Sequence, residues 1–331
     1  MGEYGYFIKQ LGRQELGSVD SSDKPQRGRY VLVSKDENVL SLFPPLSENV
    51  VNDSSLLPIL PLYTGIKTYA NFVYHNDKHS RPDVGSRDEY RLYLNKYLDS
   101  KTKIFYKSGD FIVLRKVISN EDDNDENFYA LDYIEQTNEN FANFVKTLQP
   151  LRTNSRQFFY KGIIEEFEVK LKNVIENATT TMIDNTITEE IHKEQQDGKN
   201  VEGLFNSQSF RDFVLTGYGF KCAITNQNIN FKNLYNIEAA HIRPKSQGGT
   251  FMPSNGVPLC RDMHWAFDKG FFTITVDYTI KVHPDVQSDL LAQYNEKKIN
   301  LPDNVFFMPS KKNLQYHNEK VYGLFKTTGR L

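Results

Sequence analysis

The sequence predicts a multidomain α+β protein, and three observations carry that prediction. The first half is a series of short aromatic and β-branched runs bounded by turn residues, the texture of a strand-rich domain. Near Gln149-Pro150 this gives way to a helical and then a polar stretch. Beyond Ser209 the chain reads helix, strand, loop, strand, helix, with histidines where the first strand and the last helix meet the loop. The expected divisions are residues 1–148, a strand domain; 149–208, a helical and polar linker; and 209–331, a small mixed domain.

Length supports more than one core, because 331 residues exceed what a single hydrophobic core usually organises. Hydrophobic residues at 39% and charged residues at 25% suit a globular chain and exclude a disordered or fibrous one. A net charge of −2 gives no whole-chain argument for nucleic-acid binding, so any such claim must rest on motifs. The two cysteines, Cys222 and Cys260, exclude a disulfide framework and a four-cysteine zinc site. They read as free thiols of a reducing compartment, with no structural zinc expected. MGEYGYFIKQ has no basic segment followed by an apolar run, and no stretch approaches the ~20 apolar residues of a membrane span. The expectation is a cytoplasmic protein with no membrane partner.

Seven runs in the first half have strand character: 30–34, 59–63, 68–74, 89–94, 103–106, 111–117 and 128–134. Ser108-Gly109-Asp110 is a turn signal, and the acidic run 121–126 reads as a solvated hairpin tip. Many short strands without intervening helices suggest an all-β barrel or sandwich. In 155–176, Phe158, Ile163, Ile164, Phe167, Val169 and Leu171 recur at mostly helical spacing, which predicts a helix. Residues 177–203 are polar and read as a linker or loose helical connection, and a second helix is expected over 209–216.

The chemistry is concentrated between Cys222 and Val282. Glu238–Ile242 is short and apolar around His241, as in a strand. Residues 244–256 hold three Gly, two Pro, two Ser and an Asn, so they form a loop. Residues 259–269 then suit a short helix stopped by Gly270. On that helix His264 and Asp268 are four apart and share a face, so both can ligate one divalent ion. Phosphodiester hydrolysis needs a neutral imidazole to take a proton from water, and a cation to neutralise growing charge. A lone histidine is more often a satisfied core residue. This cluster, with Asn255 between His241 and His264, points to a site.

The ordered motifs EAAHIRP, GG, PSNGVPLC and MHWAFDKG resemble the HNH nucleases of the ββα-metal superfamily, especially their restriction-endonuclease branch. The resemblance spans about 209–320. It implies that His241 is the general base, that Asn255 fixes the loop and helps orient His241, and that His264 and Asp268 hold a divalent metal. Mg²⁺ is the first expectation and Mn²⁺ the alternative. Where many members carry an Asp or His ligand, this chain has Ala240, which leaves Glu238 as a further candidate. Arg243, Lys245 and the Gly248-Gly249 turn are placed to hold a phosphate, or else form a solvated basic loop. Cys222 and Cys260 stand where related domains carry zinc-knuckle cysteines, without the other two partners.

In the first half, SLFPPLS, RDEYRLYLNKYL, FYKSGDFIVLRKV and FYALDYI resemble the B3-like DNA-recognition domains, which are open β-barrels. That implies phosphate contacts from basic residues among tyrosines: Arg87, Arg91 and Lys107, with Arg81, Lys101 and Lys103 nearby. Arg91 can also pair within its own strand, with Asp88 or Glu89.

Together the two resemblances imply a type II restriction endonuclease that reads a short sequence in double-stranded DNA and cuts it with a divalent metal. One site cuts one strand, so double-strand cleavage implies a homodimer or two successive nicks. Two alternatives stand beside this: an endonuclease that requires methylcytosine, and a non-catalytic DNA-binding regulator with a degenerate HNH domain, which Ala240 favours.

Overall fold

Apolar residues on both sides of the strands organise the first half into one sheet with two cores. The computed structural model describes residues 4–12, 15, 30–77, 87–93, 107–118, 127–177, 183, 185–231 and 234–325. It divides into two compact units, 1–193 and 194–331. The first unit contains β1 (Tyr4–Gln10), β2 (Tyr30–Val33), β3 (Ser54–Pro61), β4 (Thr68–His75), β5 (Glu89–Tyr93), β6 (Phe111–Val117), β7 (Phe128–Ile134) and β8 (Gln157–Gly162). They form one sheet in the order β2-β5-β4-β3-β7-β6-β1-β8, with β3 and β7 parallel and the other neighbours antiparallel.

Alternation along β1 sends Phe7 to one core and Tyr6 and Ile8 to the other. Phe7 of β1 shares its core with Val31 of β2, although the two strands lie near opposite ends of the sheet order. The sheet must therefore curl. Its edges β2 and β8 do not pair among the described residues, so the expected barrel is realised as a half-barrel. The outer core is capped by α2 (Glu139–Thr147) and α3 (Glu165–Asn177), through Phe141, Val145, Phe167 and Leu171. The short α1 (Glu37–Leu40) contributes Val39 to the inner core.

One expectation is corrected here. Residues 155–176 are not one helix: Gln157–Gly162 is strand β8, paired with β1 in the register Tyr6↔Tyr160, and the helix begins at Glu165. The aromatic run Phe158-Phe159-Tyr160 suits a pleated edge, and pairing with β1 overrides the helical spacing. The opening residues, unassigned from sequence, form β1 between β6 and β8. The expected strand at 103–106 and the acidic tip at 121–126 lie outside the described residues. Gly109 adopts a positive φ of 103° in the turn before β6, a conformation that favours glycine.

A further helix, α4 (Asn185–Gln196), runs through the polar stretch. The second unit then contains α5 (Ser207–Gly217), the short ribbon β9 (Asn230–Phe231) with β10 (Leu234–Tyr235), the antiparallel pair β11 (Ile237–His241) and β12 (Gly256–Cys260), and α6 (Arg261–Asp268). After these come β13 (Phe272–Ile274), β14 (Ile280–Val282), α7 (Asp289–Ala292) and α8 (Lys311–Lys320). Asn206 starts α5 with a reciprocal capping box involving Ser209. Gly270, at a φ of 74°, stops α6; a Cβ there would lie 2.1 Å from the Val321 carbonyl oxygen. Among the described residues no helix is long and apolar enough to cross a membrane.

Candidate active site

The site grows from the β11–β12 pair and the helix that follows it. His241 ends β11 and pairs with Gly256 at the start of β12. A side chain at Gly256 would meet Val214 and Phe210 of α5, the nearest atom 2.3 Å away. The missing side chain therefore lets α5 press against the ribbon. Phe210 uses that space to stack on the His241 ring, with centroids 4.1 Å apart and planes at 19°. Phe251 meets the same imidazole edge-on at 5.6 Å.

This aromatic packing takes His241 out of water. Burial, then the charges of Lys245 and His264, lower its pKa to about 4. The imidazole is thus neutral at neutral pH, the form a general base requires. Its Nε2 is buried and has no hydrogen-bond partner among the described residues. Lys245 lies over the Phe251 ring, its ammonium 4.0 Å from the centroid.

Asn255 holds the loop between the strands. It is wholly buried. Its Oδ1 accepts from the Arg243 N–H at 2.9 Å, and its Nδ2 donates to the carbonyls of Arg243 at 3.0 Å and Thr250 at 2.9 Å. Its own carbonyl accepts from the Ile242 N–H. These bonds tie the residues after His241 to the far end of the loop. Asn255 therefore acts on His241 through the backbone beside it. Gly249 permits this closure, since a Cβ there would stand 1.9 Å from the Arg243 carbonyl oxygen.

On α6, His264 stands between two carboxylates. Its Nδ1 is 2.8 Å from Glu238 Oε2, and its Nε2 is 3.5 Å from Asp268 Oδ2. Glu238 also pairs with Arg261 at 3.2 Å. Burial raises the Asp268 carboxyl pKa, His264 and Lys269 oppose the rise, and Glu238 adds to it. Ala240 is buried among the core residues beneath α6. Glu238, two residues earlier on the same strand face, brings the carboxylate that Ala240 lacks toward the helix.

These residues fit a sparse divalent-cation site. With Nδ1 donating to Glu238, the His264 Nε2 and the Asp268 oxygen face each other as two electron-pair donors. Two donors at about 2.1 Å from one ion lie roughly 3.0–3.4 Å apart, close to the separation here. Glu238 then plays the outer part of a carboxylate–histidine–metal arrangement. Among the described residues no group of three His, Cys, Asp or Glu side chains is placed to hold a metal ion, so water and substrate oxygens would fill most of the shell.

The remaining expected residues fall as follows. Arg243 is engaged inside the loop: its Nε donates to the Gln247 carbonyl at 2.8 Å, and its guanidinium stacks on Tyr316 at 4.4 Å. Lys245 is exposed beside His241. In the first unit, Arg91 lies 3.9 Å over the Tyr30 ring and pairs with Glu89, while Arg87 pairs with Asp77 at 3.6 Å. The Lys107 N–H donates to Asp110, which organises the turn. Arg81, Lys101 and Lys103 lie outside the described residues. Sequence reasoning missed Phe210 and Phe251, and it named Glu238 only as a spare ligand. Cys222 and Cys260 are free and hydrogen-bonded to each other, an interaction that lowers the pKa of the buried Cys222 and raises that of Cys260.

Comparison with known proteins adds a family to this geometry. Residues 222–275 match the model of a family described as HNH endonuclease, HNH_2. No curated protein sequence matches the chain. Among solved structures, the B3 domain of the UbaLAI restriction endonuclease, determined with cognate DNA, aligns at 13% identity and a TM-score of 0.31, covering 49% of this chain and 88% of that one. The modification dependent TagI restriction endonuclease aligns at 14% identity and a TM-score of 0.29, covering 77% of this chain and 63% of that one. The alignment thus spans less than two thirds of the TagI chain.

Proposed function

Because residues 222–275 match the HNH endonuclease family model, we propose that this protein is a metal-dependent DNA endonuclease of the type II restriction kind, with His241 as its general base. The observation that carries the reading is the pairing of a neutral, aromatic-packed His241 with the His264–Asp268 donor pair in one strand–loop–strand–helix unit.

His241 removes a proton from the attacking water, and its low pKa keeps it ready to do so. His264 and Asp268 would hold a divalent cation, which supplies charge neutralisation at the phosphate and at the leaving 3′ oxygen. Glu238 orients His264 through Nδ1. Asn255 is a positioning residue that fixes the backbone next to His241. Lys245, beside the base and exposed, steadies the scissile phosphate. Products carry a 5′ phosphate and a 3′ hydroxyl. The first unit reads the DNA sequence, with Arg87, Arg91 and Lys107 as candidate contacts, and a homodimer would place one site on each strand.

The test is incubation of unmodified and cytosine-methylated phage DNA with Mg²⁺ or Mn²⁺, with and without a chelator. Discrete fragments with 5′ phosphate ends, lost with the chelator, support the reading. Cutting only of methylated DNA would move it to a modification-dependent enzyme. Tight binding without cleavage in either metal would replace it with a DNA-binding regulator.

A further inference from the structure

A second feature of α6 lies outside the catalytic cluster. Trp265 is the sole tryptophan of the chain, and it is 56% exposed, unusual for so large an aromatic residue. It forms one wall of a cleft of about 1110 Å³ that runs from α6 to α7. Phe271 meets the indole edge-on at 5.1 Å, and Phe325 packs behind Phe271 at 5.7 Å. The lining also includes the carboxylates of Asp262 and Asp285, the latter 3.7 Å from His283, and the ammonium of Lys269.

We propose that this cleft receives a nucleobase of the substrate strand, unstacked next to the scissile phosphate and stacked on Trp265. The proposal rests on the nuclease reading above and adds a binding site to it. Position on the helix makes the argument. Trp265 and Lys269 each follow a proposed metal ligand by one residue, so their stripe lies about 100° around α6 from that of His264 and Asp268. A helix is only about 10–12 Å across. A strand whose phosphate rests on His264 and Asp268 therefore passes the Trp265 stripe within its neighbouring nucleotides.

The chemistry of the cleft matches a base and its phosphate. An exposed indole face offers stacking to any base, and such contacts are sequence-tolerant. Carboxylates in the lining accept hydrogen bonds from exocyclic amino groups, as Asp and Glu do from cytosine. Lys269 attracts the phosphate of the same nucleotide.

Because Trp265 is the only indole, its emission reports the contact directly. The experiment uses the full chain as the His241→Ala variant with Mg²⁺ and an end-labelled duplex spanning a mapped cleavage site. Label anisotropy reports binding, and tryptophan emission reports stacking. The expected result is at least a twofold quench that saturates with the anisotropy and is lost when an abasic site replaces one base next to the cut. In the cleavage-competent protein, Trp265→Ala lowers kcat/KM by about ten- to a hundredfold, and Trp265→Phe retains most of it. If the His241→Ala variant binds the duplex with unchanged emission while the wild type cuts that duplex, the cleft proposal is overturned and the nuclease reading stands. If no DNA is bound or cut with any metal, both fall.

Discussion

The imidazole of His241 lies nearly parallel to the ring of Phe210, with centroids 4.1 Å apart. That contact links α5, which lies outside the matched HNH segment, to the chemistry at the end of β11. Burial is the first cause of the lowered His241 pKa of about 4. A base works only when unprotonated, so the rate falls as pH drops through that value. The His241 limb of kcat/KM therefore lies near pH 4 in the wild type, with no loss from this group between pH 6 and 8. Phe210→Leu admits water to the ring, and the limb moves up toward the ordinary histidine value of about 6.5. A pH–rate profile of both proteins checks this; an unmoved limb would separate Phe210 from the base.

Asn255→Ala leaves the Arg243 N–H and the Arg243 and Thr250 carbonyls without their buried partner. Each such group costs about 1–3 kcal/mol, so the expected loss is at least about 3 kcal/mol. Asn255→Asp keeps the acceptor and loses the donor, and should fall between. Urea unfolding of the full chain, followed in the second unit by Trp265 emission, measures the difference.

Glu238→Gln removes the carboxylate that orients His264. Weakening of such an outer partner lowers metal affinity about 10- to 100-fold. Cleavage by this variant should recover at high metal concentration. Asp268→Ala, which removes a proposed ligand, should not recover in the same Mn²⁺ titration. Equal behaviour of the two variants would reverse their assigned roles.

His317 makes a prediction about acid stability. It is 1% exposed, stacks on Phe267 at 3.7 Å, and has Nδ1 2.9 Å from the Thr273 hydroxyl. Burial pushes its pKa down to about 3. Between about 6.5 and 3 the unfolded chain binds a proton that the folded chain refuses. The stability from neutral His317 is therefore complete above pH 6.5 and declines by up to ~1.4 kcal/mol per unit below it. His317→Gln should be less stable at pH 7 and show a shallower decline between pH 6.5 and 4 in denaturant titrations.

Much of the second unit was legible because its chemistry is local. His264 and Asp268 share a helix face at four-residue spacing, and Gly270 ends that helix, as the residues imply. The curled sheet was legible only in part. β6 and β7 announce themselves by composition, whereas β8 exists because β1 is there to pair with it. Long-range partners leave no local signature, which is also why Phe210 and Phe251 escaped notice beside His241. Arg243 and Arg91 show the converse. Each stacks on a tyrosine and bonds within its own unit; the Glu89 partner of Arg91 was legible two residues away, whereas the Tyr30 and Tyr316 rings were not.

The most direct test of the central claim compares wild type with His241→Ala on phage DNA in Mg²⁺ and Mn²⁺. The His241 ring stacks on Phe210 and its Nε2 has no hydrogen-bond partner among the described residues, so circular dichroism should show the variant folded. Its cleavage should fall by at least ~10²-fold, the lower range for a lost general base, while its DNA binding persists. Cleavage that survives the substitution at the wild-type rate would contradict the assignment of His241 as the base.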